Sequence, residues 1–286
     1  MTTILVTGAN GQLGNQLKQL SANYPQFDFK FTDLPELDIT AEHAINQVLT
    51  ELKPQWLINC AAYTAVDKAE VESDLAHKIN VEGASLLARL SDEHRIRMVH
   101  ISTDYVFDGT ASQPYKEDHP KNPSGVYSQT KSLGEDLVLA NNPRSIIFRT
   151  SWLYSAFGQN FVKTVIRHST EKGYMQIVAD QVGTPTWAAD LVTMIMKAIE
   201  IDLQPGIYHY SNEGVCSWYD FAMAIVELQG IKAIIEPITT NDFGAVASRP
   251  FYSVLDKALV KRNTGLKIPY WRDSLKECLK QLNEQG

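Results

Sequence analysis

The polarity of the chain changes period as it is read. Short apolar runs of strand length, at 3–7, 27–32, 56–59, 98–102 and 145–149, alternate with longer stretches whose apolar residues recur three and four apart. The stretch 13–20 predicts a helix, and 74–93 predicts another with Ile79, Leu86, Leu87 and Leu90 on one face. Strand and helix in strict alternation predict βαβ units, because parallel neighbours need a helix-length crossover. The expected fold is therefore α/β, a Rossmann-type doubly wound parallel sheet.

Beyond Trp152 the alternation loosens, and Pro185, Pro205, Pro237, Pro250 and Pro269 break the chain into shorter units. This texture predicts a first unit over 1–152 and a smaller lobe over 153–286. The apolar segment near 186–200 is expected to return and pack on the first unit. Residues 218–228 and 272–282 predict two further amphipathic helices.

Composition narrows the class. A chain of 286 residues with 44% hydrophobic and 21% charged positions is ordinary for a globular protein. The net charge of −7 disfavours nucleic acid or an anionic membrane as a partner. No run is long enough for a membrane span, and the amino end enters a strand without the basic flank of a signal peptide. Cys60, Cys216 and Cys278 are few, scattered and odd in number, which argues against a disulfide framework or a zinc knuckle. A cytoplasmic setting and no bound metal are the expectations.

Candidate chemistry begins at Gly8-Ala9-Asn10-Gly11-Gln12-Leu13-Gly14, directly after the first strand and opening the first helix. In that context Gly8 permits a tight turn, Gly11 lets backbone approach a pyrophosphate, and Gly14 allows close helix packing. The helix start then offers free N–H groups to the phosphates. Asp33, at the end of the second strand, reads either as a ribose ligand that disfavours a 2′-phosphate or as a solvated turn residue. Asp38 reads as a second adenine-side candidate or as the cap of a helix starting near Thr40. Small residues after the third strand, in Asn59-Cys60-Ala61-Ala62-Tyr63-Thr64, would let a dinucleotide lie against the backbone. Asn80 either bonds main chain beneath that centre or is a surface amide.

Ser102-Thr103-Asp104-Tyr105 closes another strand at the end where open α/β sheets bind ligands. Downstream, Tyr127 and Lys131 stand four apart, on one face of a helix. A free phenol titrates near 10, so a tyrosine exchanges protons at neutral pH only with a cation beside it. Lys131 is that cation, and Thr103 is placed to bond the Tyr127 hydroxyl or a substrate carbonyl. Such a pair alone is more often a surface pair. Its order after the glycine loop and the Ser-Thr strand end points to nicotinamide-dependent carbonyl chemistry.

With these motifs the chain resembles the extended short-chain dehydrogenase/reductase superfamily and, within it, the dTDP-4-dehydrorhamnose reductase family. The closer likeness is carried by 59–70, including Thr64-Ala65-Val66-Asp67-Lys68-Ala69-Glu70, by 102–109, by Phe148-Arg149-Thr150-Ser151-Trp152, and by Arg249-Pro250. The resemblance implies Tyr127 as proton donor, Lys131 as its tuning cation and ribose ligand, and Thr103 as assistant. It implies that Gly11, Gln12, Leu13, Asp38, Ile39, Ala62, Tyr63 and Thr64 touch NADPH or NADH, and that Thr103, Asp104 and Trp152 touch a dTDP-sugar. Arg249 is either a ligand of the substrate diphosphate or half of a structural ion pair.

The resemblance also has limits. Tyr252 stands where relatives often carry Asn. Tyr105 stands where a 4,6-dehydratase carries Glu, which argues against dehydration; another nucleotide-sugar reductase, or an epimerase that holds its dinucleotide through turnover, is one alternative. A non-catalytic regulatory subunit, like the methionine adenosyltransferase β subunit, is the other alternative, and the intact Thr103, Tyr127 and Lys131 speak against it. Some relatives dimerise around magnesium held by glutamates. Here the first helix carries Asn15-Gln16, so no metal is carried over, and a homodimer is left open.

Overall fold

The apolar runs form one sheet, joined by a strand the polarity pattern hides. The computed structural model describes residues 1–285. In chain order its principal elements are β1 (Thr2–Thr7), α1 (Gln12–Leu20), β2 (Phe27–Phe31), α2 (Glu42–Leu52), β3 (Trp56–Asn59), α3 (Ala84–Glu93), β4 (Arg97–Thr103), α4 (Val126–Asn141), β5 (Ile146–Thr150), α5 (Phe161–Lys172), α6 (Ala188–Glu200), β6 (Gly206–His209), α7 (Trp218–Leu228) and α8 (Trp271–Gln285). The strands are all parallel in the order β6-β5-β4-β3-β1-β2. The winding direction reverses between β1 and β3. At such a reversal the loops leaving the carboxyl ends diverge and open a crevice.

Alternate residues of each strand face opposite layers, so a strand covered on both sides must be apolar throughout. Ile4, Val6, Ile58, Val99, Ile146 and Phe148 pack on one side with α1 and α6. Leu5, Leu57, Met98 and Ile147 pack on the other with α2, α3 and Val138 of α4. α6 returns to this core with an apolar face that includes Leu191, Val192, Ile195 and Ile199, and leaves Thr193 and Glu200 exposed on its other side. The chain then adds β6 beside β5, with Ile207 opposite Ile147 and Tyr208 opposite Phe148. Residues 206–209 therefore belong to the central sheet, although they follow the break at Trp152.

The stretch 74–93 is helical but not uniformly α. It runs as Ser73–His77, a π-helical turn Lys78–Gly83, and then α3. The wider turn meets α4 at Gly134, where a Cβ would lie 2.0 Å from the Asn80 carbonyl oxygen. Only glycine allows that approach, and the wider turn leaves Asn80 buried rather than on the surface.

The smaller lobe has its own core. Phe221, Ala222 and Ile225 of α7 meet Val162 and Val165 of α5 and Leu275 and Leu279 of α8. Strands Tyr174–Val178 and Ile234–Ile238 pair in parallel at its edge. Among the described residues no helix is long and apolar enough to cross a membrane.

Candidate active site

At the end of β1 the chain turns at Gly8, with φ +67°. A Cβ there would lie 2.4 Å from the Ala61 backbone nitrogen, and one at Gly14 would lie 2.4 Å from the Gly8 carbonyl oxygen. The two glycines thus let the first turn of α1 sit against both β1 and the loop after β3. Gly11 is the N-cap of α1, and no side chain caps that helix. Its first-turn N–H groups, beginning at Gln12 and Leu13, remain available for an anion. A dinucleotide pyrophosphate fits this loop by backbone alone.

The crevice floor is polar, with hydrogen bonds that cross from strand to strand. Asn59 Oδ1 accepts from the Thr7 hydroxyl at 2.7 Å and from Ala61 N–H at 3.1 Å, while its Nδ2 lies 3.1 Å from His100 Nδ1. This ties the ends of β1, β3 and β4 together, and burial keeps the His100 imidazole neutral. Asn80 accepts from Tyr63 N–H at 2.9 Å and donates to the Tyr63 carbonyl and the Thr130 hydroxyl. It fixes the loop Ala62-Tyr63-Thr64 onto α4. Thr64 is exposed at the rim and Ala62 partly buried.

Two acidic residues are tied into local turns. β2 ends at Phe31, so Asp33 lies in the turn beyond it. Its Oδ2 accepts from Asn10 N–H and its Oδ1 from Leu34 N–H, both at 2.8 Å. Asp33 therefore braces the glycine loop. Asp38 does not cap α2, whose N-cap is Ala41. Its Oδ1 instead accepts from both Thr40 N–H and the Thr40 hydroxyl in a local turn, which holds the carboxyl below its usual range. Ile39 beside it is buried against Gly83.

Tyr127 and Lys131 lie on the first turns of α4, beside the end of β4. Lys131 is buried, and its Nζ donates to the Ile101 carbonyl at 2.7 Å. Burial brings this ammonium down to about 8, with the Glu135 carboxylate one turn on pulling it back up. Burial pushes the Tyr127 phenol up to about 12, opposed by a hydrogen bond with Thr103 and reinforced by the Asp104 charge. Thr103 Oγ1 donates to Asp104 Oδ1 at 3.0 Å and accepts from Tyr105 N–H. Asp104 is 2% exposed and its Oδ2 has no hydrogen-bond partner among the described residues. Burial raises that carboxyl to about 7, against the hydroxyls of Ser253 and Thr103. The Tyr105 ring meets Tyr127 edge-on, with centroids 5.8 Å apart.

Trp152 follows β5 with φ +46° and stacks on Trp218 of α7, centroids 3.6 Å apart and 10° from parallel. Gly183 lies beneath it, where a Cβ would be 2.7 Å from the Trp152 ring. Arg249 does not stand free. Its Nη2 and Nη1 meet Asp67 Oδ2 and Oδ1 at 2.7 and 3.1 Å, and Nη1 also donates to the Ala247 carbonyl. The guanidinium edge at Nε makes no protein hydrogen bond among the described residues. In the same segment Glu70 Oε1 accepts from Val126 N–H, the first residue of α4, at 2.9 Å. Two residues on, Glu72 accepts from the Tyr63 hydroxyl at 2.6 Å.

Several contributors had no distinct sequence signal. Glu135 and Arg149 form a buried ion pair, joined by Ser102, under Lys131. Trp218 read only as one position of an amphipathic helix, and Asn160 carried no motif. Among the described residues no group of three or more His, Cys, Asp or Glu side chains is placed to hold a metal ion.

A phenol, an ammonium and a hydroxyl beside an uncapped glycine loop, all at the carboxyl edge of a parallel sheet, form the working arrangement of Rossmann-type carbonyl reductases. The RmlD substrate binding domain model matches residues 1–284. The chain belongs to that family. A dTDP-4-dehydrorhamnose reductase of Aggregatibacter actinomycetemcomitans is 38% identical over 96% of this chain and 98% of its own. A solved dTDP-4-dehydrorhamnose reductase of Clostridium acetobutylicum is 44% identical, with TM-score 0.95 over 99% of this chain and 100% of its own. That of Bacillus anthracis, solved in complex with NADP, is 42% identical, with TM-score 0.95 over 98% and 100%.

Proposed function

We propose that this protein reduces the C4 keto group of dTDP-4-dehydro-L-rhamnose to give dTDP-L-rhamnose, with NADPH or NADH as reductant. The observation that carries the reading is the convergence of Thr103, Tyr127 and Lys131 on one crevice with the glycine loop. When bound, the reduced nicotinamide supplies the hydride that goes to the sugar carbonyl carbon. Tyr127 donates its proton to the oxygen as negative charge develops there. A phenol held up to about 12 is fully protonated at neutral pH, which suits the reducing direction. Lys131 binds the nicotinamide ribose and stabilises the phenolate left behind, and Thr103 polarises the same carbonyl oxygen.

Gly8, Gly11, Gln12, Leu13 and Gly14 cradle the pyrophosphate, while Asp38, Ile39, Ala62, Tyr63 and Thr64 line the rest of the dinucleotide. Asp33 acts through the loop it braces, and a relative solved with NADP supports acceptance of a 2′-phosphate. Asp104 accepts from a sugar hydroxyl, Trp152 covers the sugar, and Arg249 offers its Nε edge to the diphosphate. Tyr105 supplies no carboxylate for elimination, which favours reduction over dehydration. The two units divide the work, 1–152 with 186–209 mainly holding the dinucleotide and the remainder mainly the sugar nucleotide, which Asp104 and Trp152 meet from the first unit. Three unpaired cysteines support a reducing, cytoplasmic setting.

The test is turnover of purified dTDP-4-dehydro-L-rhamnose with NADPH and NADH, beside UDP- and GDP-linked ketosugars. Tyr127→Phe should lower kcat by about 10²- to 10⁴-fold while dinucleotide binding is kept. Wild-type turnover in that variant would remove the assignment.

A further inference from the structure

Gln12 serves two masters in different directions. Its N–H belongs to the uncapped first turn of α1, on the pyrophosphate side of the loop. Its side chain is engaged by the other lobe. Gln12 Oε1 accepts from Asn160 Nδ2 at 3.0 Å and from Ser155 Oγ at 3.4 Å. Gly158, with φ +62°, lets that loop pass close, since a Cβ there would lie 3.2 Å from Gln12 Cγ.

Asn160 is also committed on both sides. Its Oδ1 caps α5 by accepting from Lys163 N–H at 3.2 Å. Its amide further donates to the Ser155 carbonyl at 2.8 Å. The next residue, Phe161, packs its ring on Trp218 at 4.7 Å, and Trp218 is the stacking partner of Trp152. A continuous series of contacts thus runs from the pyrophosphate loop, through one amide pair, to the indole that covers the sugar.

We propose that Asn160 is a positioning residue that links dinucleotide binding to sugar-nucleotide binding, by holding the start of α5 to Gln12. The inference rests on the functional reading above for the identity of the two ligands. Ordering the glycine loop around a pyrophosphate fixes Gln12, which fixes the amino end of α5 and with it the Phe161-Trp218-Trp152 stack. Ordering already done for one ligand is not repeated for the second, so each tightens the other by the same factor. One neutral hydrogen bond sets the scale, about fivefold in affinity.

The experiment is calorimetric titration of the full-length protein with dTDP, with and without saturating NADP⁺. In the wild type, NADP⁺ should tighten dTDP about fivefold. Asn160→Ser keeps a good helix cap but is too short to reach Gln12, and should bring the factor below about twofold. Gln12→Met removes the acceptor while leaving the backbone, and should do the same. The double variant should lose no more than either single one. A purely local loosening of α5 would weaken dTDP equally in both titrations and leave the ratio unchanged, which would overturn the proposal. So would two ligands that bind independently in the wild type. Failure of dTDP to bind under any condition would instead remove the sugar-nucleotide reading on which the proposal rests.

Discussion

Arg249 and Asp67 lie 182 residues apart and meet fork to fork, with Nη2 to Oδ2 at 2.7 Å and Nη1 to Oδ1 at 3.1 Å. The pair fastens the segment after Thr240–Phe243 across to the short helix Val66–Ala69. The same carboxylate accepts from Ala247 N–H. Arg249 is thereby held near Tyr105, whose ring meets Tyr127 edge-on.

Asp67→Asn should therefore act on substrate capture rather than on chemistry. A partly exposed pair is worth up to about 1 kcal/mol, so KM for the nucleotide sugar should rise about fivefold with kcat within about twofold. Steady-state kinetics at fixed NADPH decide it. An unchanged KM would show that Arg249 is only a fastening.

Glu70 should matter to kcat. Its carboxylate holds the first N–H of α4, one residue before Tyr127, and sits at the positive end of the helix. Glu70→Ala should lower kcat about tenfold, the scale of a charge-assisted hydrogen bond, with KM for NADPH kept. Glu70→Gln retains an acceptor and should recover most of the loss. Equal damage from both would point to misfolding of the segment instead.

The pH profile of kcat/KM should be a narrow bell. Asp104, raised by burial to about 7, must be ionised to accept from a sugar hydroxyl, so activity falls as pH drops through 7. Lys131, lowered by burial to about 8, must be charged, so activity falls as pH rises through 8. Stability moves the other way on the alkaline side. Between about 8 and the ordinary 10.5 the unfolded chain holds the Lys131 proton that the folded chain has lost, so this lysine's contribution rises with pH. Lys131→Arg stays charged throughout, and its residual activity should lose the alkaline limb. A limb near 8 that survives in that variant belongs to another group.

Glu135 and Arg149 should dominate local stability. Both are almost fully buried, with Arg149 Nε 3.0 Å and Nη2 2.5 Å from the two Glu135 oxygens. Arg149→Met alone strands a buried carboxylate and should cost about 3–5 kcal/mol in urea denaturation. Arg149→Met with Glu135→Leu removes both charges and should regain much of that loss. Simple additivity of the two single losses would show that the pair is not coupled.

The polarity pattern disclosed what burial on two faces demands. β1, β3, β4 and β5 are apolar at both parities because each is covered by helices from both sides, and α6 turns a wide apolar face to that sheet while Thr193 and Glu200 stay exposed. β6 escaped because four residues, one a glycine at φ +144°, carry too little apolar period to stand out. The glycine loop and the Tyr127-Lys131 pair were legible because their geometry is local. Trp218 beneath Trp152, Asp67 beside Arg249 and Asn160 beside Gln12 were not, because each pair is brought together by the fold of two lobes. The local bonds of Asp33 and Asp38 were hidden in the same way. Their hydrogen bonds go to main chain that no sequence pattern marks.

The segment 67–72 bears three carboxylates that reach three separate parts of the protein: Asp67 to the Arg249 segment, Glu70 to α4, and Glu72 to Tyr63. Each extra residue in a helical turn rotates everything after it by about 100°. One residue inserted between Asp67 and Glu70 would turn two of those carboxylates away from their partners at once. The length of this segment is thus held more tightly than its composition, since one added residue would part both the start of α4 and the Tyr63 loop from the Asp67–Arg249 pair.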